Sequence, residues 1–139
     1  MPALNPLIIS KINEGNRLYA EGNKQEAIKY FIAILDELDD IYNDRYESTE
    51  ARLIMMSIYS MYLSEKNYVE AKQWAEDIFN CDIPEGATSE LINLGLVYFE
   101  LNEKDKAYEC FLKAYEKGKH RAFKEYDPKY WKFFKSRHK

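Results

Sequence analysis

The residues of this chain that could do chemistry are few, and their spacing excludes most of it. Cys81 and Cys110 stand 29 positions apart with no His or Cys at metal-ligand spacing beside them. They are expected to be two buried thiols in a reducing compartment. His120 and His138 lie in a basic C-terminal stretch with no evident carboxylate or Cys partner, so solvated rings are expected. The acidic run Asp36, Glu37, Asp39, Asp40 and Asp44 lacks the glycine and the alternating ligand positions of a calcium loop. It is expected to be a solvated helix face, with contact to a basic partner as the alternative. There is no phosphate loop, G-x-G-x-x-G, H-E-x-x-H or C-x-x-C. The expectation is a chain that is not an enzyme and uses no metal or cofactor.

What must then be positioned is a surface, and an internal repeat supplies the elements. Stepping three, twelve and sixteen residues on from Gly15 reaches Leu18, Ala27 and Phe31; the same steps from Gly95 reach Tyr98, Ala107 and Phe111. From Tyr59 they reach Tyr62, Ala71 and Ala75, a degenerate copy in which Trp74 could restore the lost volume. The small first residue marks where one helix crosses its partner closely. The Ala sits on the second helix at that crossing, and the Phe one turn later fills the groove. Polar turns fall between the two halves of each copy, at 20–24, 64–67 and 101–104.

These segments, among them Glu14-Gly15-Asn16-Arg17-Leu18-Tyr19 and Lys106-Ala107-Tyr108-Glu109-Cys110-Phe111, resemble the tetratricopeptide repeat family. The resemblance implies an all-α fold: a short right-handed α-solenoid of three antiparallel helix pairs plus a C-terminal capping helix. As a single domain it would hold repeats at about 8–41, 52–85 and 88–121, with the capping helix at about 127–137. The conserved-size Ala recurs at spacings of 44 and 36 residues. The longer first spacing predicts an extended second helix through Ile34, Leu38, Ile41 and Tyr42, then a polar turn over 43–49. In the first repeat Lys11 and Glu14 replace large apolar residues, as suits a terminal unit with no preceding neighbour.

Composition agrees with a folded helical chain: 139 residues, 46% hydrophobic, 32% charged, five Gly and four Pro. The net charge of −4 conceals a polarity. Residues 1–116 carry 11 Lys/Arg against 22 Asp/Glu, and residues 117–139 carry 9 against 2. The acidic body makes nucleic acid an unlikely partner. Met1–Ser10 has no basic region and only a short apolar run, and no apolar stretch nears the roughly 18 residues of a membrane span. A cytoplasmic protein with no membrane association is expected. In the tail, Asp127-Pro128 reads as an N-cap followed by Pro at the first helical position. The helix after it carries Tyr130, Trp131, Phe133 and Phe134 among lysines, expected to cap the last repeat, to fold back into the chain's own groove, or to offer a basic–aromatic surface to a partner, an anionic membrane or RNA.

The family resemblance also implies that the first helix of each pair lines a concave groove. The residues expected there are Ile12, Asn16 and Tyr19, then Met56, Ser60 and Leu63, then Ile92, Asn93, Leu96 and Phe99. The family's clamp for the acidic C-terminus of heat-shock chaperones is excluded. Asn16 matches it, but Ile12, Ser57, Ser89 and Asn93 occupy the other clamp positions. A mainly apolar groove suits a helical or extended peptide of another protein. The alternative is an immunity or inhibitor protein that captures a basic toxin enzyme, such as a nuclease, through Asp36, Asp39, Asp40 and Asp44.

Overall fold

A computed structural model describes residues 5–138; Met1–Leu4, within the segment read as lacking a leader, lie outside the described residues, as does Lys139. Among the described residues there are seven α-helices and no strand. They are α1 (Pro6–Ala20), α2 (Lys24–Tyr42), α3 (Thr49–Ser64), α4 (Tyr68–Asp77), α5 (Ser89–Glu100), α6 (Lys104–Gly118) and α7 (Pro128–Arg137), with 3₁₀ turns at Arg45–Glu47, Ile78–Asn80 and Lys119–Phe123. The chain divides into two compact units, Met1–Asp82 and Ile83–Lys139. No helix among the described residues is long and apolar enough to cross a membrane.

The internal repeat is written in backbone hydrogen bonds as well as in side chains. In the first α1–α2 turn, Gly22 N donates to Tyr19 O and Asn23 N to Leu18 O, at 3.0 and 2.9 Å. Lys66 and Asn67 repeat this onto Leu63 and Tyr62, and Asn102 and Glu103 onto Phe99 and Tyr98. Each turn needs one left-handed residue to reverse the chain: Gly22 at φ 91°, Lys66 at 59° and Asn102 at 63°. In all three the next residue's carbonyl then accepts from the signature Ala, at 27, 71 and 107. Those three Ala are fully buried.

In the first unit, α1 pairs with α2 and α3 with α4, and α3 also packs against both α1 and α2. Gly15 lies beneath Phe31; a Cβ there would stand 2.6 Å from Phe31 Cζ. Phe31, Ile34, Leu35, Leu38, Ile54, Met55 and Ile58 form the core. The degenerate copy has exchanged large and small. Tyr59 is buried on α3 and Ala75 is buried on α4. Trp74, expected to restore the lost volume, is half-buried and packed against the core, as are Tyr62 and Leu18. The long α2 ends at Asn43 in the left-handed conformation, and the expected polar turn contains the 3₁₀ segment Arg45–Glu47. The buried Glu50, in the first turn of α3, accepts from Asn5 N at 2.9 Å and Tyr42 Oη at 3.4 Å. A carboxylate there is favoured by the helix N-terminus.

In the second unit, α5 pairs with α6, with Gly95 beneath Phe111 as Gly15 lies beneath Phe31. The tail helix α7 closes this pair. Asp127 accepts from Lys129 N at 3.0 Å and Pro128 takes the first helical position, as expected. Phe134 is fully buried and Tyr130 nearly so, amid Phe99, Phe111, Phe123 and Tyr115. Ring contacts of this density bury large areas at low rotamer cost. The tail's apolar side packs on this helix pair, Lys129 pairs with Glu100 at 2.6 Å, and Lys132 and Lys135 are exposed.

Candidate functional site

The groove expectation divides sharply when each residue is placed. In the second unit it does not hold. Ile92 is fully buried and Leu96 is 4% exposed, so neither can meet a partner. Asn93 Oδ1 accepts from Tyr126 Oη at 3.2 Å. Phe99 meets Tyr130 and Phe133 edge-on at 5.4 and 5.1 Å, with Lys104 Nζ 3.2 Å from its ring centre. The face read as open to a peptide is used by the chain's own core and tail. The reason is local: residues 126–133 follow α6 closely in sequence and bring aromatics to that side of α5.

In the first unit the expectation fares better. Asn16, Tyr19, Met56 and Ser60, joined by Ser57, Met61 and Ser64, line one cleft of about 270 Å³ between α1 and α3. Ile12 is buried and serves the core, and Leu63 is half-buried outside the cleft lining. The three additional residues share a face with Ser60, since 57, 60, 61 and 64 follow three- and four-residue spacing; that rule could have found them. Their hydroxyls are partly committed: Ser57 Oγ donates to Leu53 O at 3.2 Å and Ser64 Oγ to Met61 O at 2.9 Å. Tyr19 Oη hydrogen-bonds Ser64 Oγ and lies 3.4 Å from Glu65 Oε1. Lys24 pairs with Glu65 at 2.7 Å near the same end, and its ammonium is pushed above its ordinary value by that hydrogen bond. The cleft therefore has flexible thioethers in its walls, an exposed amide at Asn16 and a charged, hydrogen-bonded end.

The acidic run is less available than its composition suggested. Arg45 holds Asp39 through Nη2 at 2.6 Å and Asp36 at 3.0 Å, and its backbone N–H also donates to Asp39. The Arg45 hydrogen bond keeps the Asp39 carboxyl below the usual carboxylate range. Asp44 accepts from Tyr46 N and caps the 3₁₀ turn, while Asp40 remains fully exposed on α2. Three of the run's four aspartates thus fold the 36–47 segment onto itself, and Glu37 pairs with Lys11.

The remaining chemistry-capable groups are occupied structurally. Cys81 and Cys110 are free thiols, both buried, with Cys81 Sγ 3.7 Å from Met55 Sδ. The histidines are exposed but not merely solvated: His120 lies tilted against Trp131 with ring centres 4.3 Å apart, and His138 stacks on Phe134 at 4.9 Å. Among the described residues, no group of three or more His, Cys, Asp or Glu is placed to hold a metal ion. A scan against protein-family models finds no match, and no curated protein matches the chain in sequence.

Proposed function

We propose that the chain is a non-catalytic protein-interaction module of tetratricopeptide type, its helix pairs forming a short right-handed solenoid. It takes a helical or extended segment of another protein in the cleft between α1 and α3. The observation that carries this reading is the lining of that cleft. Met56 and Met61 supply adaptable apolar surface, and Asn16 and the serines supply hydrogen-bonding groups along the edge. Such a lining fixes the register of a bound backbone through a few polar contacts while its apolar side chains fill the floor. The three identical helix turns support the repeat assignment, because a shared backbone pattern repeated with the same side-chain steps is the mark of stacked units.

The test is selection of binding peptides from a random displayed library, followed by affinity measurement on the recovered sequences. Met56→Asp and Asn16→Ala should each weaken binding at least tenfold for the former and several-fold for the latter, while Asp40→Lys leaves it unchanged. Recovery of no sequence above background would overturn the reading, as would peptides indifferent to Met56→Asp.

A further inference from the structure

A second cleft in the first unit has a different chemistry. It lies among α2, α3 and α4, has a volume of about 420 Å³, and is lined by Ile32, Tyr62, Glu70, Gln73, Trp74 and Asp77. Two large aromatic side chains and two carboxylates thus share one cavity, of the size range of small-ligand sites. None of the unit's lysines or arginines lines it.

The two carboxylates differ in how they are held. Asp77 is positioned: Tyr46 Oη donates to both its oxygens at 3.0 Å, and Asn80 Nδ2 donates to Oδ1 at 2.9 Å. A carboxylate has about four acceptor sites, so capacity remains on Oδ2. Glu70 is half-buried and lines the same cleft. Its backbone N–H caps onto Asn67, which places it in the first turn of α4. The Tyr62 phenol, in the same lining, is pushed above its ordinary value first by burial and then by the Glu70 charge.

We propose that this cleft binds an organic cation, with a guanidinium preferred over an ammonium. The faces of Trp74 and Tyr62 attract a cation through their quadrupoles, and the planar guanidinium also stacks on them. Asp77 and Glu70 supply charge-assisted acceptors at the edge, and the Gln73 carbonyl supplies a neutral one. The surroundings favour the same sign: residues 1–82 hold 8 Lys/Arg against 15 Asp/Glu, a net −7. Lys29 and Lys72, on the same two helices, lie outside the lining. The site is separate from the α1–α3 cleft and shares no residue with it.

The experiment uses the full chain carrying Trp131→Phe, which leaves Trp74 as its single tryptophan. The probes are N-acetyl-arginine amide, N-acetyl-lysine amide, the neutral isostere N-acetyl-citrulline amide, and tri-arginine. Trp74 emission and its indole N–H resonance are followed. The expected result is saturable change with arginine, weaker change with lysine, and at least tenfold weaker binding of citrulline. Glu70→Gln, whose lost charge leaves the fold's contacts intact, should weaken the arginine probe roughly two- to fivefold. Tri-arginine binding tighter than threefold over the monomer assigns the site to a basic protein segment; equal affinity assigns it to a free small cation. Citrulline binding as well as arginine would overturn the proposal. So would an indole resonance and emission that no cation moves, or arginine binding unchanged by Glu70→Gln.

Discussion

Replacing Gly95 by Ala tests whether the helix crossing, and not helix propensity, dictates the residue at the start of the repeat template. An Ala Cβ would stand 2.5 Å from Phe111 Cε1, 2.7 Å from Cδ1 and 3.2 Å from Cys110 Cβ. The Phe111 ring is fully buried and cannot swing aside. Phe123, Tyr130 and Phe133 have their ring centres 5.5, 6.0 and 6.2 Å away. Overpacking of a closed core costs about 1–3 kcal/mol, and the pinned ring places this case in the upper half. Ala in place of Gly in a helix interior returns about 1 kcal/mol. The net expectation is a loss of about 1–2 kcal/mol, or about 3–8 °C in Tm. Urea unfolding of a Trp74→Phe background, followed by Trp131 emission, reads the second unit and should show a lower midpoint at unchanged slope. Gly86→Ala is the control, since nothing lies within 4 Å of its Cβ and the substitution should be neutral or slightly stabilising. Adding Phe111→Leu should give a double variant less destabilised than the two single changes combined. Gly95→Ala as stable as the parent would refute the crossing argument.

Lys66 occupies at φ 59° the turn position that Gly22 occupies in the first pair, so Lys66→Gly should stabilise by about 0.5–1 kcal/mol in urea titrations. Ser48→Ala removes a buried cap whose Oγ accepts from Ala51 N at 3.1 Å and donates to Arg45 O at 2.8 Å; a loss of about 1–2 kcal/mol is expected by the same measurement. Because Arg45 lowers the Asp39 value, the stabilisation it provides is complete above the ordinary carboxyl value of about 3.9 and is lost as pH falls through the folded-state value. A carboxyl-carbon NMR titration should place Asp39 below the ordinary carboxyl range, and Arg45→Ala should raise it toward that range. Deleting residues 126–139 uncovers Phe99 and Phe111 and should give a chain that aggregates or melts early; a truncation as stable as the parent would refute the cap.

The helix pairs were legible because close crossings impose size rules that survive in sequence. Gly15 and Gly95 must be small where Phe31 and Phe111 lie across them, and Ala27, Ala71 and Ala107 must be small one turn into the second helix. Even the irregular copy obeys the rule in reverse, with Tyr59 large where Ala75 is small. The long α2 was legible through its apolar spacing, and α7 through Asp127-Pro128, a cap that depends only on local backbone chemistry. Arg45 was not legible as the clamp of the acidic run, because its pairing with Asp36 and Asp39 depends on the chain doubling back at Asn43.

The groove was only half legible, and the reason is physical. A residue one position past the packing stripe of a first helix has the same composition whether it faces solvent, a partner or the next helix. In α5 the next helix decides it. Tyr126 and Tyr130 arrive with hydroxyls for Asn93 and Glu100, and Phe133 arrives with a ring for Phe99. In α1 and α3, Asn16, Met56 and Ser60 line a cleft. The same logic explains the α2–α4 cleft. Trp74 read as core filler because a tryptophan at helical spacing usually is, and it does pack against the core, but only with part of its surface. Trp74 packs one side against the core and leaves the other half-exposed, and between Glu70 and Asp77 on the same helix that exposed side acquires a charge preference. Degeneracy in the middle copy is thus where a packing position was free to become a binding one.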